Sequence, residues 1–347
     1  VDQSIPERLG GHVAEAGPVV ASDQGVPPSE PSARPAGRAA SAVPDHLFRW
    51  LMILCGISVL SVVLLVVIEL FHYSQLSRHA FGFKFFVRSI WDPVSGDFGA
   101  LPFVYGTLVS SALALLLAVP LGIGTAVFIN EFCPIPLRRS ISFLVELLAA
   151  IPSVVYGLWA VFVLSPILQK YVEPALADTL GWTGLFYGPK YGIGMLAAGV
   201  ILAIMILPII ASITREVMLA VPHNQREAVL ALGATPWEMI RTGILRNARA
   251  GIVGGIILGL GRAMGETMAV AMVIGNNPQI VKSLFAPAHS MAAVIANEFS
   301  EAITDLYLSA IIEIGLALFL ITLIVNIIAR GLVWMTTRGM PVRADVQ

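Results

Sequence analysis

Residues 98–130 read FGALPFVYGTLVSSALALLLAVPLGIGTAVFIN, with no charged side chain between Asp97 and Glu131. A helix rises about 1.5 Å per residue and a bilayer's hydrocarbon core is about 30 Å thick, so ~20 such residues cross it. The run is too long for a membrane-spanning strand, which needs only about 9–11 residues. Backbone groups in lipid must pair within their own segment, so the run is a transmembrane helix.

Outward from this run, charges bracket five more spans: Leu51 to Phe71, Ile141 to Leu168, a stretch between Lys190 and Arg215, Gly251 to Ile274, and Leu306 to Ala329. The reading is therefore an all-α, polytopic membrane protein with six transmembrane helices, kinked in or near Pro120, Pro152 and Pro208. The composition agrees. Of 347 residues, 57% are hydrophobic and only 12% charged, against about 25% charged in soluble domains. A net charge of -1 leaves no basic face for nucleic acid. The two cysteines, Cys55 and Cys133, make neither a disulfide framework nor a metal set. No catalytic or metal-ligating residues are read.

Residues 1–46, rich in Pro, Gly, Ala and Ser, are expected to be a disordered tail rather than a signal peptide. The six-helix domain is expected over 47–335, with a short tail at 336–347. With the N-terminal tail inside, fourteen basic residues fall on inner segments and six on outer ones, leaving Arg262 inside a helix. The positive-inside rule then makes both termini cytoplasmic and exposes Asp178 and His289 outside.

The inner segment 215–250, REVMLAVPHNQREAVLALGATPWEMIRTGILRNARA, is too ordered for a simple turn. Asn224 and Glu227 form a capping pair that starts a short helix, and Gly233 is placed to end it. Thr235-Pro236-Trp237-Glu238 supplies a second N-cap, with Pro at the first helical position and Glu at the third. Val229, Leu230 and Leu232 beside Arg226 and Glu227 give a small amphipathic surface. It suits either an interfacial helix or a knob for a soluble partner. Two sequence stretches frame the ionisable residues of the bilayer. Pro152 with Ser153 forms either a plain kink or an unwound turn lining a cavity. Arg262, about 17 Å along its span from Gly251 at ~1.5 Å per residue, sits near the midplane with Glu266 one turn further. That pair is either a register-fixing ion pair or an anion waypoint, since a guanidinium offers a planar fork of donors to phosphate. Glu146 and Glu313, nearer the surfaces, are free to snorkel. Gly255-x-x-x-Gly259 and Gly261-x-x-x-Gly265 read as helix packing.

Glu227-Ala228 followed by Gly233 resembles the cytoplasmic EAA loop of importer permeases in the ATP-binding cassette (ABC) family. Arg246 stands where members commonly carry Pro. Three further blocks, Trp91-Asp92-Pro93 with Phe98-Gly99-Ala100-Leu101-Pro102 and Tyr105-Gly106-Thr107-Leu108, Ala149 to Trp159, and Gly261 to Val270, resemble the PstC-type permeases of high-affinity phosphate importers. The resemblance implies a MetI-like fold in a prokaryotic plasma membrane and inorganic phosphate as substrate. It places Arg262, Glu266, Thr267 and Ser153 along the substrate pathway. Arg226, Glu227, Ala228, Leu230 and Gly233 then dock an ATPase. The implied partners are a PstA-type sister permease, two PstB-type ATPase subunits that use ATP and Mg, and a PstS-type phosphate-binding protein. No phosphate-cradling G-x-x-x-x-G-K-[ST] loop occurs in the chain, so no cofactor is expected on it. Two competing readings are a permease for another oxyanion, such as sulfate or molybdate, and a proton-coupled secondary transporter using Glu146, Glu266 and Glu313.

Overall fold

The computed structural model describes residues 42–337. The expected tail falls outside the described residues as far as 41, as does 338–347. Helix α1 begins at Ala42, within the stretch read as tail. The described residues divide into two units at Leu60 and Ser61. In the first, the described side chains from His46 to Leu60 are all exposed, as befits an apolar helix made to face lipid.

Among the described residues, six helices are long and apolar enough to cross a membrane. They are α1 (Ala42–Tyr73), α3 (Leu101–Phe132), α5 (Ser153–Thr183), α6 (Met195–Leu219), α8 (Pro236–Gly265) and α11 (Asp305–Thr337). Between them lie α2 (Gln75–Phe81), α4 (Ile135–Ala150), α7 (His223–Ala231), α9 (Met268–Val273) and α10 (Met291–Glu298). Pro120 and Pro208 stay inside continuous helices. Wider π turns at 160–164 and 168–172 hold the residues four before Pro166 and Pro174, whose rings displace those carbonyls.

Helix α6 is the most buried of the six, and it organises the core. Along α8, a Cβ on Gly251, Gly255 or Gly259 would meet Val217, Ile213 and Ile210 of α6 in turn, at 2.5, 3.0 and 3.2 Å. Glycine every fourth residue thus lets two antiparallel helices approach closely, the main packing device where lipid supplies no hydrophobic drive. Gly254, Gly261 and Gly265 meet nothing within 4 Å, so the packing read for the Gly261–Gly265 pair is corrected: that face is open.

The third crossing is broken in two. The Arg215 guanidinium near the C-terminal end of α6 reaches Ser142 and Glu146 of α4. At the other end of α6, the buried Glu173 carboxylate of α5 accepts the Gly192 amide with both oxygens at 3.1 Å. Residues 142–173 therefore run the length of α6, and the break at Ile151–Pro152 lies inside that crossing. Pro152 disfavours helical backbone at Ile151, which is extended (ψ 131°). Glu146 is exposed and paired with Arg215 at 3.5 Å. Glu313 is buried on α11 with one oxygen unbonded, so it does not snorkel.

The fifth crossing is also broken. Helix α8 ends at Gly265, Glu266 is extended (φ -72°, ψ 128°), and α9 restarts at Met268. Two weak helix formers, Gly265 and Thr267, flank the break. Beyond α9, residues 275–290 fold back over the ends of α3 and α6. The Gly194 amide donates to the Val273 carbonyl and the Leu196 amide to Leu284, both at 2.8 Å. The Met291 amide donates to Thr107 Oγ1 at 2.9 Å. Backbone pressed this closely excludes a side chain at Gly106, where a Cβ would lie 2.0 Å from the His289 carbonyl oxygen. His289 is consequently buried, not the accessible outer position expected.

Candidate functional site

The two broken crossings meet. Gly157, one turn beyond Ser153, packs so closely on α9 that a Cβ there would lie 3.1 Å from Ala269 Cα and 2.5 Å from Met272 Sδ. The extended residues Ile151–Pro152 and Glu266 thereby face one region of the bundle. Arg262 lies within electrostatic reach of Tyr156 on α5. Its neighbour Gly259 sits against Ile206 and Ile210, midway along α6, which places Arg262 near mid-membrane.

Arg262 and Glu266 do not form the ion pair that a continuous helix would allow. The helix has ended before Glu266, and among the described residues the ion pairs are Arg88–Asp97, Arg215–Glu146 and Arg226–Glu131. The register-fixing reading and the shared helical face are both corrected by this break. Glu266 is 9% exposed, and its carboxylate takes no hydrogen bond from the described residues. Thr267 Oγ1 donates back to the Gly265 carbonyl at 3.3 Å, and the Ser153 hydroxyl is half-buried without a partner. Arg262 instead lines a cavity of about 820 Å3 between α8 and α11, together with Asn326, Arg330 and apolar walls that include Ile257 and Leu323. A cation at this depth costs at least ~2.5 kcal/mol even on the mildest scale. One that finds no counter-charge among the described residues is poised for an anion, water or a partner.

The 215–250 segment is built differently from its sequence pattern at two points. Helix α7 starts at His223 behind Pro222, not at Asn224, and has no side-chain cap. Gly233 ends it in the left-handed region (φ 83°), as expected. The Thr235–Glu238 capping box forms, with the Glu238 amide donating to Thr235 Oγ1 and the carboxylate accepting from the Thr235 amide at 2.8 Å. The helix that this box starts is not a second short one but α8 itself, which continues through Arg246. Without Pro at that position no amide is lost and no ring forces a bend.

Arg226 is engaged within the chain. Its guanidinium pairs with Glu131 at 2.9 Å and donates to the Met218 carbonyl at 3.1 Å, tying α7 to the ends of α3 and α6. Glu227, Ala228, Leu230 and Gly233 are exposed, with Leu232 at 88% and Trp237 at 58%. A rigidly held helix thus presents an apolar, partnerless edge at the end of the bundle.

Residues 118–333 match the family of binding-protein-dependent transport system inner membrane components. The chain belongs to this family. The likeness to PstC-type permeases drawn from the motif blocks extends over most of this transport component. It is 48% identical to the phosphate transport system permease protein PstC of Mesorhizobium japonicum, covering 87% of this chain and 94% of that one. The protein of the same name in Haemophilus influenzae is 44% identical over 82% and 92% of the two chains. A solved bacterial ABC transporter involved in the import of the acidic polysaccharide alginate shares the fold, with a TM-score of 0.58 at 18% identity over 86% and 99% of the chains. The chain is thus a multi-pass membrane permease subunit of an ABC importer.

Sequence reasoning missed the polar residues that hold this inner membrane component together. Trp91 Nε1 and the Tyr307 hydroxyl both donate to Glu298, at 2.7 and 2.6 Å. Phe98 stacks on Tyr307 with ring centroids 5.2 Å apart. The Trp91 and Phe98 blocks, which carry part of the PstC-type resemblance, build a packed aromatic platform. Glu173 was missed as well. Its signal was an acidic residue before Pro174 in an otherwise helical stretch.

Proposed function

We propose that the chain carries inorganic phosphate across the plasma membrane as one of two membrane subunits of an ATP-driven importer. The observation that carries this reading is Arg262, an unpaired guanidinium near mid-membrane, lining a cavity that also holds Asn326 and Arg330. A forked donor that stays charged in a dry site suits a tetrahedral oxyanion. Glu266 and Thr267 at the broken end of α8, and Ser153 at the break in the third crossing, supply further polar groups at that level. Arg330 extends the path toward the inner surface. The names of the relatives support phosphate over sulfate or molybdate, and the family supports ATP over a proton gradient.

In this reading both termini and the 215–250 segment are cytoplasmic. The exposed edge of Glu227, Ala228, Leu230 and Gly233 seats one of a pair of ATPase subunits, while Arg226 keeps that edge rigid. A sister permease completes the pathway and an external phosphate-binding protein delivers the anion. ATP and Mg act on the ATPases, so hydrolysis belongs to the assembled complex. The test is uptake of labelled phosphate by cells carrying the full complex. Uptake should collapse on ATP depletion, persist when the proton gradient alone is dissipated, and resist competition by excess sulfate or molybdate. Collapse with the proton gradient, or equal competition by sulfate, overturns the reading.

A further inference from the structure

Helix α4 carries a second cationic site, separate from the Arg262 cavity. A pocket of about 390 Å3 lies where α4 meets the last turns of α6, lined by Arg138, Arg139, Arg215, Ser142 and Glu146 with Ile135 and Phe143 at its edges. Three guanidiniums face one carboxylate. Arg215 reaches Ser142 and Glu146, and the Ser142 hydroxyl donates to the Arg138 carbonyl at 2.8 Å. That leaves Arg138 and Arg139 without an ion pair among the described residues, and Arg138 Nε is buried with no hydrogen-bond partner. A buried donor left unmade costs roughly 1–3 kcal/mol, so the pocket is incomplete as it stands.

Its position narrows the ligand. Arg215 precedes the end of α6 at Leu219 by about one turn, so the pocket sits at the membrane boundary, on the side of the 215–250 segment. Its rim is apolar and open: Ile135 is 84% exposed and Phe143 62%, and Leu147, one turn beyond Phe143 on α4, is 50% exposed. A small anion such as free phosphate makes no use of that rim, whereas an anionic phospholipid satisfies both parts. Its headgroup phosphate meets the guanidiniums, and its acyl chains lie along Phe143 and Leu147. We propose that the Arg138–Arg139–Arg215 pocket binds the headgroup of an anionic phospholipid in the adjoining leaflet.

The test uses the full-length chain purified in mild detergent and incubated with equal amounts of phosphatidylglycerol and phosphatidylcholine. Retained lipid is counted by native mass spectrometry. The wild-type chain should keep phosphatidylglycerol preferentially. Arg138→Gln with Arg139→Gln should lower that retention by roughly fivefold per charge removed, with phosphatidylcholine unchanged. Arg139→Gln alone, an exposed position with no contact to lose, gives the same reading if the double variant fails to fold. Equal retention by wild type and Arg139→Gln overturns the proposal. So does full displacement of phosphatidylglycerol by millimolar inorganic phosphate, which would make the pocket a free-anion site.

Discussion

Arg262 is the residue on which transport is expected to turn. Because no ion pair joins it to Glu266, its loss strands no partner, and the effect of a substitution is read in transport rather than folding. Arg262→Ala should lower labelled-phosphate uptake roughly 10- to 100-fold, the consequence of losing a charge-assisted hydrogen bond of ~1.5–3 kcal/mol. Complex abundance in the membrane should hold. Arg262→Lys should retain part of the activity, since the charge remains and the fork is lost. Adding Glu266→Ala to Arg262→Ala should restore nothing, and recovery of uptake in that double variant would reinstate a structural pair. His289, outside the membrane-spanning helices, sets a pH dependence. Burial lowers its pKa to about 4 from 6.5, against a smaller opposing effect of the Ser290 backbone. Between those values the unfolded chain binds a proton that the folded chain refuses. Its contribution to stability is therefore complete above about pH 6.5 and declines as pH falls toward 4. The loss is on the order of 2 kcal/mol at pH 5. Thermal melting of the purified chain at about pH 7 and pH 5 should show this drop, and His289→Gln should flatten it.

Among the elements, α7 has the most function resting on the least structure. It is nine residues long, too short to be stable alone, and is held by Arg226 to Glu131 and Met218 and by Asn247 to Gln225 at 2.8 Å. Arg226→Ala breaks a largely buried pair, a change that costs about 3–5 kcal/mol where burial is complete. It should loosen α7 without touching the exposed docking edge. ATPase co-purification should fall, and Glu131→Gln should produce the same fall through the other partner. If Arg226→Ala lowers co-purification while Glu131→Gln does not, Arg226 contacts the ATPase directly. The sequence pattern showed that a helix, a glycine turn and a capping box occur here. It did not show which charged residue faces inward, because Arg226 and Glu227 are adjacent and only their partners separate them.

For the whole molecule, orientation rests on the distribution of basic residues, and it is open to direct measurement. In a background lacking Cys55 and Cys133, a cysteine at the exposed Asp178 should react with an impermeant thiol reagent added to intact cells. One at Ser140 should react only after the membrane is opened. The reverse pattern would invert the topology and remove the docking edge from the cytoplasm. Buried His289 is unsuitable as a probe.

The sequence by itself determined the class of the molecule: six apolar helices, an EAA-like loop, and a guanidinium at mid-membrane. Each of these depends on local composition, since apolar length, capping residues and a charge within an uncharged run are visible along the chain. Only the tertiary structure decided where the helices break and who partners whom. An apolar run reads the same whether it passes straight through or stops at Glu266, because hydropathy is blind to backbone conformation. Two charges four residues apart look paired until the helix between them ends. The glycines of α8 divide in the same way, with Gly251, Gly255 and Gly259 turned to α6 while Gly254 and Gly261 face the Arg262 cavity. That division is set by the direction from which the neighbouring helix approaches, a property no single stretch of sequence contains.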